Sequence, residues 1–269
     1  MRWALSTYLR LITIQIRGQV AYRVSFLFDV LATALITTLS FLSLALVFQR
    51  FENLGGWRLG EVAFLYGMVE LAFGTMDMLF SGFDPHDFAQ LIRRGTFDQL
   101  LLRPVNVTLQ VLGLRFVLRR LGRILQGLII FAAALALADV HWTPAKLLYV
   151  PVVFASLVSF FGGLFVIGST IAFWTIESAE VTNIFTYGGS EMMSYPMHIY
   201  PGWMQRFFTY VVPAIFLNYY PALYFLEKPD PFDAPAIARF LAPLVGFGVL
   251  ALGLRFWRFG IRRYQSTGS

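Results

Sequence analysis

The chain contains no cysteine. That excludes a disulfide, a thiolate metal site and a cysteine nucleophile. It has three histidines, His86, His141 and His198, too scattered in sequence for metal-ligand spacing. Its only lysines are Lys146 and Lys228, and neither follows a glycine. A phosphate-binding loop needs glycine-rich backbone N–H groups followed by a lysine, so the chain has no such loop. Charge is scarce as well. Only 13% of residues are charged, against about 25% in soluble domains. No long polar linker, low-complexity tract or internal repeat divides the chain, which reads as one domain over 1–269.

What is present is apolar. Hydrophobic residues make up 58% of 269 positions, and mean hydropathy is +0.66. A soluble chain of this length has too little interior to hide that surface, whereas a bilayer accommodates it. Twenty-eight Phe add to the apolar surface, and six Trp and twelve Tyr supply interfacial anchors.

A spanning helix needs about 20 mostly apolar residues. Candidates lie at 24–48, 61–81, about 112–138, 147–174 and 237–259. A shorter one at 181–195 is rich in Gly, Ser and Met. This predicts an all-α integral membrane protein with six transmembrane helices. No cleavable leader is predicted. Instead, Leu5, Leu9, Ile12 and Ile16 recur at helical spacing in 1–23, with Arg10 and Arg17 placed to reach headgroups. That pattern predicts an interfacial helix, with a plain juxtamembrane lead-in as the simpler alternative. Pro196, Pro201, Pro213 and Pro221 break an apolar stretch at 196–221. Such segments persist at membrane depth only inside protein or beside a cavity, so short re-entrant outer helices are predicted there. A single kinked span is the competing reading.

Positive charge selects between these topologies. With six spans and the N-terminus inside, fifteen Lys and Arg fall on the cytoplasmic side and six outside. The positive-inside rule therefore predicts a multi-pass inner-membrane protein with both termini cytoplasmic. A seventh span would move Arg255, Arg258, Arg262 and Arg263 outside.

The polar region 82–110 has helix signals of its own. Asp84 or Pro85 can start a short helix and Gly95 can stop it; Thr96 or Asp98 can open another, which Pro104 ends. Its interleaved charged and apolar residues suit either a groove on a soluble partner or the headgroup layer. Within the spans, Asp29, Glu70, Asp77 and Glu191 are costly in lipid. They either contact substrate in a cavity or are satisfied by arginines such as Arg119 or Arg123. Glu70, nearest mid-span, and Glu191, beside Gly188-Gly189 and followed by Met192, are the better cavity candidates. Asp77 and Asp29 lie near span ends. Gly162, Gly163 and Gly168 are read as close-packing positions.

Three stretches resemble one family. The segment Arg94-Gly95-Thr96-Phe97-Asp98-Gln99-Leu100-Leu101-Leu102-Arg103-Pro104 is similar to the "I-R-x-G-x-x-D-x-x-L-L-R-P" segment of permeases of the type-2 ABC exporter class. Pro201-Gly202-Trp203-Met204-Gln205, with Pro213 to Pro221, resembles that family's "F-P-x-W-x-Q…P-x-x-F-x-x-Y-x-P" region. The tail from Arg263-Tyr264 to Gly268 resembles its closing "R-Y-x-x-x-G". Met197-His198-Ile199-Tyr200 departs from the regular hydrophobic pattern of the family.

The resemblance implies an elbow helix at 1–23, a coupling helix between helices 2 and 3 (82–110) and re-entrant helices at 196–221. It also implies an ABC ATPase subunit that binds ATP and Mg, and a second permease subunit, identical or related. The coupling contact then falls on Phe88, Leu91, Arg93, Arg94, Phe97, Asp98, Leu101 and Arg103, and candidate cavity residues are Glu70, Asp77, Glu191 and Met192. Membrane lipid is expected around the chain and no nucleic acid is. No cofactor of its own and no catalytic residue is expected. A self-sufficient secondary transporter and a membrane-embedded enzyme are the other classes considered; the first requires an internal repeat and the second a cluster of reactive side chains.

Overall fold

A computed structural model describes residues 2–21, 23–175 and 179–265. Glu177 and the final residues 266–269 of the tail motif lie outside the described residues. Helix α1 (Arg2–Ala21) leads into α2 (Arg23–Arg50) and α3 (Leu59–Leu79). Two short helices follow, α4 (Pro85–Arg93) and α5 (Thr96–Leu101), then α6 (Val107–Leu114), α7 (Leu121–Leu137) and α8 (Pro144–Ile171). The second half continues through α9 (Ala179–Asn183), α10 (Gly189–Met193), α11 (Gly202–Tyr210), α12 (Tyr219–Phe225) and α13 (Ala242–Arg263). Five helices among the described residues are long and apolar enough to cross a membrane: α2, α3, α7 with the 3₁₀ turn before it, α8 and α13.

Two of these helices meet their neighbours through glycine. On α3, Gly60, Gly67 and Gly74 repeat every seven residues, which is two turns and so one face. A Cβ on them would strike Leu137, Phe131 and Ile124 of α7, at 2.8, 2.6 and 3.2 Å. The partner numbers fall as the glycine numbers rise, so α3 and α7 are antiparallel. On α13, Gly246, Gly253 and Gly260 repeat at the same interval and lie against Ser156, Gly163 and Thr170 of α8. Here the numbers rise together, so α8 and α13 run parallel. Lipid tails are as apolar as leucine, so helices in a bilayer associate by close packing rather than by a hydrophobic drive. Glycine permits that approach.

The chain must turn back between two parallel helices, and α9, a π-helical turn (Ile184–Gly188) and α10 make that return. Thr182 touches Gly168 near the end of α8. Tyr187 then packs on Phe73 at 5.1 Å. Asn218 donates to the carbonyls of both Met193 and Leu65, at 2.9 and 3.2 Å. The segment thus climbs along α3 from its C-terminal towards its N-terminal half. The short helix expected at 181–195 lies at 179–193, where α9, the π turn and α10 follow one another with right-handed helical backbone at both junctions.

The expected span at 112–138 is interrupted. Arg115 adopts an extended backbone that ends α6, and helix resumes at Leu118. Glutamines of α1 satisfy the exposed backbone. Gln15 donates to Leu114 O at 2.9 Å, Gln19 donates to Phe116 O, and Leu118 N–H donates to Gln19 at 2.9 Å. The stretch 196–221 consists of 3₁₀ turns and the short helices α11 and α12. Residues 237–240, expected within the last span, form a separate 3₁₀ helix.

The glycine faces make a direct stability test. Gly253→Val should destabilise the purified chain by about 1–3 kcal/mol through overpacking against the Gly163 carbonyl. Gly188→Ala, with open space around it, should be neutral. Thermal unfolding in detergent reads both.

Candidate functional site: the basic end and the buried ion pairs

Asp84 opens α4 as an N-cap, its Oδ1 accepting from His86 N–H at 3.0 Å and Asp87 N–H at 3.2 Å. Burial raises its pKa, opposed by the His86 N–H and by Arg115. Gly95, at φ +64°, makes the left-handed turn between α4 and α5. The two short helices therefore begin and end where the sequence signals lie.

They present two unlike faces. Phe88, Ile92, Phe97 and Leu100 are buried. Phe88 and Phe97 join Phe83, Phe173, Trp257 and Tyr264 in one aromatic cluster, with ring centres 5.0–6.4 Å apart. Trp257 has no exposed surface, and its Nε1–H donates to Thr108 at 3.0 Å. Tyr264 is pushed up to about 12 by burial and by the neighbouring Asp98. The cluster ties α4 and α5 to the ends of α8 and α13. Ser169 of α8 strengthens this tie by donating to Phe83 O at 2.6 Å.

The other face is bare. Arg93, Arg94, Leu101, Leu102 and Arg103 are exposed, Leu102 to 86%. Leu91 and Asp98 lie between the faces. The residues expected to form one contact surface are thus divided. Phe88 and Phe97 form the inner support, while the arginines and Leu101 form the outer edge. Leu102, not singled out from the sequence, is the most exposed leucine among the described residues.

Two of the membrane acids, Glu70 and Asp77, meet arginines of the α7 segment. Glu70 is 3% exposed and takes a forked pair from Arg123, Nε to Oε2 at 2.5 Å and Nη2 to Oε1 at 2.7 Å. The Arg123 guanidinium also covers the Phe73 ring at 4.5 Å. Asp77, 1% exposed, lies 2.8 Å from Arg120 Nε. That contact is coulombic, because neither atom achieves hydrogen-bond geometry. Glu191 is exposed and within electrostatic reach of Glu70 and Arg123, while Met192 beside it is buried. Glu70 and Asp77 therefore face arginines inside the chain, and Glu191 presents its carboxyl group at the surface of the same cluster.

The opposite end is held by the two lysines. Lys228 reaches both oxygens of Glu61 at 2.8 Å and the Gly56 carbonyl at 3.1 Å. Lys146, 3% exposed, donates to Glu227 at 2.6 Å and to Phe225 O at 3.0 Å. The Lys146 and His141 contacts hold the Glu227 carboxyl below the usual carboxylate range. His198 bonds the Gly55 carbonyl at 2.7 Å and the Tyr219 hydroxyl at 3.0 Å. Gln205, within the tryptophan–glutamine motif, donates to Tyr200 O at 2.7 Å. These roles depend on contacts more than a hundred residues apart in several cases, beyond the reach of local pattern.

The family model described as ABC-2 family transporter protein matches residues 34–268. The chain belongs to the ABC-2 transporter family. It is a multi-pass membrane protein and an ABC permease. Nothing matches it among curated proteins or among solved structures. The family match leaves out α1 and the start of α2, takes in the other long helices, and includes both faces of α4–α5 in this ABC-2 permease.

Removing one partner of a buried ion pair leaves an uncompensated charge. Arg123→Ala should destabilise this ABC-2 permease by about 3–5 kcal/mol, with the joint Glu70→Leu, Arg123→Leu change recovering most of it. Thermal unfolding of the two variants checks the sign of both effects.

Proposed function

We propose that this chain is the membrane-spanning subunit of an ATP-binding cassette exporter. ATP and Mg are bound by a separate ABC ATPase subunit, and a second permease, identical or related, completes the pathway. The observation that carries this reading is the two-faced α4–α5 unit. Its exposed edge of Arg93, Arg94, Leu101, Leu102 and Arg103 offers charge and apolar surface to a soluble partner. Its inner face is rooted by Phe88 and Phe97 in the aromatic cluster that holds α8 and α13. A push on α5 is therefore delivered to that helix pair as well as to the neighbouring α3.

The proposed layout has six crossings, with α9–α10 as the short fifth and both termini cytoplasmic in an inner membrane. The parallel course of α8 and α13 supports this count, since an ascending segment must lie between them. The gathering of arginines at one end supports the sidedness. In this layout α1 is the elbow helix, α4 and α5 form the coupling region, and α11 and α12 are outer re-entrant helices. Glu191 and Met192, next to the Glu70–Arg123 pair and above Asp77, are proposed to line the cargo path.

The absence of cysteine makes the topology test clean. Leu102→Cys and Trp203→Cys, both at exposed positions, should react with a membrane-impermeant thiol reagent from opposite sides of sealed vesicles. Labelling of both from one side would refute six crossings. For coupling, the chain is reconstituted with a candidate ABC ATPase subunit. Leu102→Asp should weaken assembly about tenfold, equivalent to about 1.4 kcal/mol. Phe97→Ala should assemble normally yet lose permease-dependent stimulation of ATP hydrolysis, and Phe97→Leu should keep part of it. Unchanged stimulation in Phe97→Ala would remove the transmitting role from the cluster.

A further inference from the structure

A cleft of about 410 Å³ opens where α1, the first turns of α2 and the extended break before α7 meet. Its walls include Gln15, Gln19, Phe26, Asp29, Arg115 and Arg119. Most of the polar groups here already have partners. Gln15 and Gln19 serve the backbone at Leu114, Phe116 and Leu118. Arg115 is paired with Asp87. Asp29 and Arg119 remain, both exposed, and neither takes part in an ion pair among the described residues.

Charges of both signs restrict what the cleft can hold. A simple anion drawn to Arg119 also meets the Asp29 carboxylate, and a simple cation drawn to Asp29 meets the guanidinium. A group that carries both signs satisfies both walls. The surroundings indicate its source. Beside the cleft, α2 presents Val24, Leu27, Phe28 and Leu31 at 55–71% exposure, a surface suited to acyl chains. Phe26 forms an apolar wall within the cleft. The arginines gathered at this end of the bundle place it at headgroup depth.

We propose that this cleft binds the headgroup of a zwitterionic aminophospholipid, with the phosphate on Arg119 and the ammonium on Asp29. The lipid stands between α1, α2 and the broken entry to α7, and so wedges the elbow against the bundle. This inference rests on membrane insertion, not on the ATPase partner, and it is tested on the permease alone.

The full chain is purified in detergent and presented with phosphatidylethanolamine, phosphatidylglycerol or soluble glycerophosphoethanolamine, and bound molecules are counted by native mass spectrometry. Wild type should retain phosphatidylethanolamine about tenfold better than phosphatidylglycerol. Asp29→Asn should abolish that preference while still binding phosphatidylglycerol. Arg119→Gln should lower retention of both lipids, and Arg119→Lys should restore it. Far-ultraviolet circular dichroism confirms that each variant retains its helices. An unchanged lipid ratio in Asp29→Asn, or unchanged retention in Arg119→Gln, would overturn the proposal. Equal binding of the soluble headgroup would overturn the lipid as its source.

Discussion

Backbone approaches backbone at glycine, and the remaining architecture follows from that contact. A bilayer gives two apolar helices no reason to prefer each other over lipid. The molecule answers with two glycine faces of seven-residue period, one on α3 and one on α13. The first fixes α7 antiparallel to α3, and this alignment brings Arg120 and Arg123 level with Asp77 and Glu70. The second fixes α13 parallel to α8, which requires the short return through α9 and α10. Ion pairs and connecting segments take their positions from these two alignments.

Electrostatics then separates the two ends. The basic end carries its charge on arginines at the surface and at the neck of α7, while the opposite end uses its two lysines to tie loops together. Lys228 joins the Gly55-Gly56 turn to Glu61, and Lys146 joins the start of α8 to Glu227. Gly55 and Gly56 both have positive φ, at 58° and 82°, and close a two-residue turn between Leu54 and Trp57. Within the long helices, Glu70 and Asp77 face arginines, while Asp29 lies exposed on α2. Glu191 likewise keeps its carboxyl group at the surface.

Where local chemistry decides, the sequence is readable. Asp84 before Pro85, and Gly95 between two apolar runs, mark the limits of α4 and α5 because N-caps and left-handed turns are written in single residues. The long apolar helices were visible for the same reason, as was Arg123 as a partner for a membrane acid. Features made by distant partners were not visible. The break at Arg115 depends on Gln15 and Gln19 about a hundred residues away. The inward turn of Phe88 and Phe97 depends on Phe173 and Trp257, and periodicity alone cannot distinguish a ring that faces a partner protein from one that faces its own core. The seven-residue spacing of glycines was present in the sequence throughout, but its meaning lies in which helix stands opposite.

All fifteen basic side chains assigned to the cytoplasmic end are arginines. A guanidinium does not lose its proton under any condition a cell survives. The electrostatic anchor at that end is therefore a permanent charge. Acidification or alkalinisation of the adjoining compartment leaves those guanidinium charges unaltered, and proton concentration acts at this end through the titratable groups beside them, Asp84, His86 and Asp87.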